Sequence, residues 1–136
     1  MALPSVGGGR QFGDGNLTEV VLGTFVPLAL TGDATLTAAQ ATVGLITCNK
    51  GSDAAITLTL PTVALLETLL VNAKVYSTFD LSINNANNSG SSSTVTMAAG
   101  TGWTLVGNPA LSRYVSGTFR AVKTGTGAWS LYNITS

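Results

Sequence analysis

Ile56-Thr57-Leu58-Thr59-Leu60 alternates a large apolar residue with threonine. In an extended chain successive side chains point to opposite faces, so this stretch reads as a strand with one face buried and the other outward. Threonine suits the outward face, because β-branched side chains fit a pleated surface. The same period of two recurs down the chain. Phe79, Leu81 and Ile83 alternate with Asp80, Ser82 and Asn84, and Val95 and Met97 with Thr94 and Thr96. Trp103 and Leu105 alternate with Thr104 and Val106, and Val115, Gly117, Phe119 and Ala121 with Ser116, Thr118 and Arg120. Trp129 and Leu131 flank Ser130 near the end. Turn-forming clusters at 49–53, 84–93, 107–109 and 125–127 separate these runs. Strands at this spacing predict an all-β fold, an antiparallel β-sandwich or jelly-roll-like domain. The Asn/Ser-rich run over 84–93 reads as a polar loop tip.

Two stretches break the rhythm. Thr37-Ala38-Ala39-Gln40-Ala41 offers an N-cap threonine followed by good helix formers, enough for about one turn. Pro61-Thr62-Val63-Ala64-Leu65-Leu66-Glu67-Thr68-Leu69-Leu70 begins with proline, which suits a helix start. Its Leu66, Leu69 and Leu70 share a face at helical spacing. This one short helix is expected to plug an end of the sandwich, the alternative being contact with a membrane or a partner helix.

The first seventeen residues differ in kind. Gly7-Gly8-Gly9-Arg10-Gln11-Phe12-Gly13-Asp14-Gly15-Asn16 has no hydrophobic period and too much glycine to fold alone. Residues 1–17 are therefore expected to form an extended N-terminal arm and 18–136 the β domain. The arm would lie on a neighbouring subunit or another protein surface, with Phe12 as anchor and Arg10 as polar contact. An arm folded back on its own domain is the alternative.

Composition narrows the function. The 136 residues hold six acidic and six basic side chains, no histidine and one cysteine; 9% are charged and 45% hydrophobic. Soluble domains carry about a quarter charged residues, so this chain looks built to be covered by neighbours in an assembly. A net charge of zero leaves no electrostatic footprint for nucleic acid or an anionic membrane. The trio Arg113, Arg120 and Lys123 reads as strand-face charge. The apolar stretch at 20–30 is short for a membrane span and holds Gly23 and Pro27. Residues 1–7 have neither the basic start nor the apolar core of a signal peptide, so synthesis in a cytoplasm is expected.

Catalysis is not expected. Without histidine no Ser-His-Asp or Cys-His arrangement exists, and no lysine lies in a Ser-x-x-Lys setting. Asp14, Asp33 and Asp53 stand in turn-like contexts. Cys48, alone in an apolar run, reads as a buried inert thiol, with no disulfide, metal or cofactor implied. Trp103, Trp129, Tyr114 and Tyr132 are the candidate interaction residues. They read as core packing, subunit contact or a sugar-binding platform.

Two segments carry a resemblance. Thr57-Leu58-Thr59-Leu60-Pro61-Thr62-Val63-Ala64-Leu65-Leu66, followed by Ala98-Ala99-Gly100-Thr101-Gly102-Trp103-Thr104-Leu105-Val106-Gly107-Asn108, resembles small β-rich virion proteins of tailed bacteriophages. There a strand runs into "TLPT", a short helix follows, and an "AAGTG-x-TL-x-G" turn links two later strands. Leu36-Thr37-Ala38-Ala39-Gln40 fits the same pattern, so the match spans residues 36 to about 134. The resemblance implies a head decoration (cement) protein, or a head-fibre or tail-fibre module. Its partners would be the major capsid protein and two further copies of itself in a homotrimer, on the capsid surface of a virion. One departure stands out: Leu70-Val71-Asn72-Ala73-Lys74-Val75-Tyr76-Ser77 lacks the glycine turn associated with that position, so the helix-to-strand corner is expected to differ. A receptor-binding fibre module that recognises cell-surface carbohydrate, and a hydrolase of envelope sugars, are the other readings.

Overall fold

The computed structural model describes residues 26–135. The arm read over residues 1–17, with Arg10 and Phe12, lies outside them. The element order is β1 (Leu28–Leu30), β2 (Ala34–Thr35), α1 (Ala38–Ala41), β3 (Leu45–Cys48), β4 (Ile56–Thr59), α2 (Val63–Leu69), β5 (Thr78–Asn85), β6 (Val95–Ala98), β7 (Trp103–Val106), β8 (Ala110–Leu111), β9 (Ser116–Gly125) and β10 (Ala128–Thr135). The fold is mostly β, with two helices among the described residues where one was expected. The extra helix is the single turn foreseen at 38–41. A capping box holds it: the Gln40 amide donates to the Thr37 hydroxyl at 3.1 Å, and the Thr37 amide to the Gln40 side chain at 3.0 Å.

One sheet has the order β1-β3-β5-β9-β10-β7 and the other β2-β4-β6-β8. Up to β6 the chain alternates between the sheets, and each strand lies parallel to the one two before it. From β7 onward the pattern changes. β7 joins β10 in parallel at the far edge, β8 adds antiparallel to β6, and β9 enters between β5 and β10, antiparallel to both. Five of the eight pairings are parallel, which corrects the antiparallel expectation. A period of two says which side chains share a face, not which way the neighbouring strand runs. Direction follows from the connection, and here each parallel return passes through a strand of the other sheet.

The alternation itself holds. Ile46 and Cys48, Leu81 and Ile83, Phe119 and Ala121, and Trp129 and Leu131 point inward from the first sheet. Ile56 and Leu58, Val95 and Met97, and Leu111 point inward from the second, and all belong to one buried cluster.

The two resembling segments pack on each other. The Leu60 amide donates to the Ala98 carbonyl at 2.9 Å, and the Val63 amide to the Thr101 carbonyl at 2.9 Å. The Trp103 indole donates to the Pro61 carbonyl at 2.8 Å. Gly100 sits so close beneath this corner that a Cβ there would lie 2.4 Å from the Leu60 carbonyl oxygen. Gly102 has φ +92°, a left-handed conformation that favours glycine. Residues separated by about forty positions thus form one structural corner under the start of α2.

The strand directions create two distinct ends. β1, β3 and β5 finish at the end carrying the loops 31–33, 49–55 and 86–94, where β9 begins. α1, α2 and the 71–77 connection occupy the opposite, helix-bearing end.

Candidate functional site

The helix end gathers exposed apolar side chains. Thr62 caps α2 by accepting from the Leu65 amide at 3.3 Å, and Val63 and Leu66 face the core. Leu65 and Leu69 do not: they are 60% and 50% exposed. Of the expected face Leu66, Leu69 and Leu70, Leu66 is buried and Leu70 packs partly buried against the core, so the correction falls on Leu69. The helix is turned so that Glu67, rather than Leu69, approaches the body. The Glu67 carboxylate pairs with the Lys123 ammonium and accepts from the Trp129 indole at 3.0 Å. The ammonium also lies 5.9 Å from the Trp129 ring centre, within cation–π range. Lys123 occupies an inward position of β9, after Phe119 and Ala121, and is 9% exposed. A buried charge needs a partner, so this pair sets the rotation of α2 and leaves the surplus leucines outside.

Two open recesses meet at Leu69. One, of about 500 Å³, lies between α1 and α2 and is lined by Leu36, Ala38, Leu65, Leu69 and threonines, with no charged wall. The other, of about 380 Å³, is lined by Leu69, Leu70, Ala73, Phe79 and Trp129. Val71, Val75 and Tyr76, all exposed, continue this surface along the connection to β5. Tyr76 has φ +75° and is 78% exposed. It stands in the corner whose sequence lacks the expected glycine, so a bulky residue takes the left-handed conformation there. The Tyr76 amide donates to the Lys123 carbonyl at 2.7 Å and the Ser77 amide to the Lys74 carbonyl at 2.8 Å, which holds the strained residue in place.

The opposite end is sealed by polar groups. The Asn85 side-chain amide donates to the carbonyls of Ser93, Leu111 and Ser112 at 2.9–3.1 Å, and its oxygen accepts from the Asn87 amide. The Asn87 side chain donates to the Ser52 carbonyl and accepts from the Ser89 amide. Asp53 accepts from the Ser92 amide at 2.7 Å. Asn88, Ser89, Ser91 and Ser92 are exposed, as a polar loop tip requires, but Asn85, Asn87 and Ser93 of the same run are buried, which the sequence reading did not foresee. Beneath the lid lies Cys48, paired in register with Asn85. Burial pushes its thiol from 9.0 up to about 11, in accord with an inert role.

The candidate interaction residues fall in three places. Trp103 and Trp129 are core residues with ring centres 5.9 Å apart, which agrees with the core-packing reading of them and not with a surface platform; Trp129 also borders the second recess. Tyr114 is 68% exposed at φ +57° in the turn before β9, and Tyr132 is half-buried on β10. Of the basic trio, Arg113 is exposed and Lys123 pairs with Glu67. Arg120 makes a two-pronged pair with Asp80, directly opposite in register, at 2.8 and 3.1 Å. Its hydrogen bonds hold the Asp80 carboxyl below the usual carboxylate range. Among the described residues, no three of His, Cys, Asp and Glu gather in a metal-binding group.

Sequence reasoning passed over Leu65, Leu69, Val71, Val75 and Tyr76. Their signal was present: α2 holds more leucines than one face of a seven-residue helix needs, and the following corner lacks its glycine. Comparison of the chain with protein families, with curated proteins and with solved structures returns no match.

Proposed function

We propose that this chain is a structural virion protein of a tailed bacteriophage. In this reading it is a head decoration (cement) protein that binds the outer face of the head as a homotrimer and bridges neighbouring major capsid subunits. Its body is read as a two-sheet sandwich that does no catalysis. The observation that carries the reading is the apolar face exposed at the helix end among the described residues, Leu65, Leu69, Val71, Val75 and Tyr76, on a chain with little charge elsewhere. Exposed patches of this kind mark contact surfaces. The packing of the "TLPT" and "AAGTG" segments into one corner supports treating them as a unit, as the resemblance does.

Mechanistically, each copy would bury apolar area across a boundary between capsid subunits, worth about 25 cal/mol per Å² removed from water. Symmetric repetition over the shell would multiply a modest contact into resistance to internal pressure. The test is the copy number of the chain per purified particle, measured against the major capsid protein by quantitative mass spectrometry. Parity with the shell protein is the expected result. Absence from the particle overturns the proposal, and a few tens of copies moves the chain to tail or fibres.

Tyr114, exposed and held in a left-handed turn, favours a second reading as a fibre or receptor-binding module for cell-surface carbohydrate. That reading predicts a loss of adsorption on Tyr114→Ala with Tyr132→Ala. An unchanged adsorption rate removes it.

A further inference from the structure

Lys123 takes the inward place after Phe119 and Ala121 on β9, where an apolar side chain would continue the pattern. Apolar residues of similar volume commonly stabilise such a position as well as a buried ion pair does, so packing alone does not call for a lysine there. Its side chain is 11% exposed, and its Nζ is in direct contact with Oε2 of Glu67. The Trp129 indole N–H donates to that same oxygen at 3.0 Å. The indole packs on the Phe79 and Trp103 rings, with centres 5.7 and 5.9 Å away, so the donor is fixed in place. The other ion pair among the described residues, Arg120 with Asp80, is half exposed, and its guanidinium is no nucleophile.

We infer that Lys123 and Glu67 condense to an intramolecular amide, a covalent tie between β9 and α2. One proton passes within the pair from Nζ to the carboxyl group, which leaves a neutral amine. The nitrogen lone pair then attacks Cδ of Glu67, and an Nζ–Cδ bond forms as the carbonyl electrons move onto oxygen. The Trp129 N–H stands ready to stabilise that negative charge. The second Cδ–O bond breaks, and its oxygen leaves as water carrying two of the three ammonium protons. Nothing is oxidised or reduced, and no co-reactant is needed. Groups held in contact by a rigid frame react with an effective molarity of about 10⁵ M or more, which offsets an uncatalysed condensation's slowness. Glu67 keeps a side-chain exposure of 26%, enough to let the water out. The bond would close a long loop in a chain whose single cysteine offers no internal disulfide. The inference stands apart from the virion reading, and in the unreacted chain the same groups form the ion pair described above.

Intact-mass spectrometry of the full-length chain, folded and then denatured, is the test. Most molecules are expected to be lighter than their sequence by the mass of one water. A protease digest should then yield a branched peptide that joins the segment of Glu67 to that of Lys123. Lys123→Arg and Glu67→Ala should each restore the full sequence mass. Full mass in the parent overturns the inference, because a plain ion pair loses no water. A loss of water that persists in Lys123→Arg also overturns it, since dehydration would then lie elsewhere in the chain. Both readings are taken on the denatured chain, so a variant that folds poorly still reports its mass.

Discussion

The two ends of the molecule invert what their compositions suggest. The run at 84–93 is nearly all Asn, Ser and Gly, yet it forms a sealed lid with Asn85 and Asn87 buried. The helix of α2 is mostly Leu, Val and Ala, yet it leaves Leu65 and Leu69 outside. The difference lies in hydrogen bonds. At the loop end, carbonyls of Ser93, Leu111 and Ser112 converge where water is excluded, and the two N–H groups of one carboxamide are shared among all three. At the helix end one ion pair, Glu67 with Lys123, fixes the helix rotation, and the leucines it does not need face outward. Polar groups decide the shape of both ends, and apolar groups fill what remains.

The sharpest way to break this comparison is at Asn85. Asn85→Asp keeps the shape but replaces the donating amide with an acceptor facing three carbonyls. It is expected to cost about 3 kcal/mol or more in denaturant unfolding, through unsatisfied buried groups. Asn88→Asp, at an exposed position three residues on, should stay within about 0.5 kcal/mol of the parent. Equal costs would mean that the lid is not a distinct structural unit.

Next in size is Gly100→Ala, which tests the corner beneath α2. The new Cβ meets the backbone oxygens of Leu60 and Pro61, which cannot swing aside as a side chain can. A loss of about 2–3 kcal/mol is expected, of the order that overpacking costs. A smaller loss follows from Glu67→Leu, which leaves the Lys123 ammonium without its carboxylate. About 2 kcal/mol is expected, below the range for fully buried pairs because Glu67 retains some exposure. Adding Lys123→Met should recover most of it. Failure of the double substitution to recover stability would show that the pair does not govern how α2 sits.

The finest probe compares thiols. Cys48, beneath the polar lid, should resist a thiol reagent at neutral pH, whereas Leu69→Cys at the helix end should react at close to the rate of a free thiol. Its raised pKa carries a definite sign. The unfolded thiol ionises near 9 and the folded one near 11, so the unfolded state loses its proton first and stability declines as pH rises between those values. Unfolding measured across that window should show a shallower decline in Cys48→Ala than in the parent. Identical slopes would place Cys48 outside the sealed interior.

Much of the β body was legible because alternation is a local property. Ile56 and Leu58, Leu81 and Ile83, and Phe119 and Ala121 were read as inward and are inward. The burial of Cys48 was legible too, from its apolar neighbours. The helix face was legible at Leu66 and Leu70 but not at Leu69, because Leu65-Leu66 and Leu69-Leu70 offer two overlapping apolar faces, and the choice between them depends on Lys123, fifty-six residues from Glu67. Trp103 and Trp129 looked alike as platform or core, since an aromatic ring serves either use. The burial of Asn85 depends on carbonyls that strands β6, β8 and β9 bring to it, and no local pattern announces those.

What the sequence determined by itself is the β character, the inward set on the strands that alternate, the two helical stretches and the lack of histidine chemistry. These follow from side-chain period, capping residues and composition, all readable within a few neighbouring positions. Tertiary structure alone decided strand direction, the rotation of α2, the polar lid and the exposed face at the helix end. Each of these depends on partners far apart in the chain, and their meeting is set by how the connections cross between the two sheets.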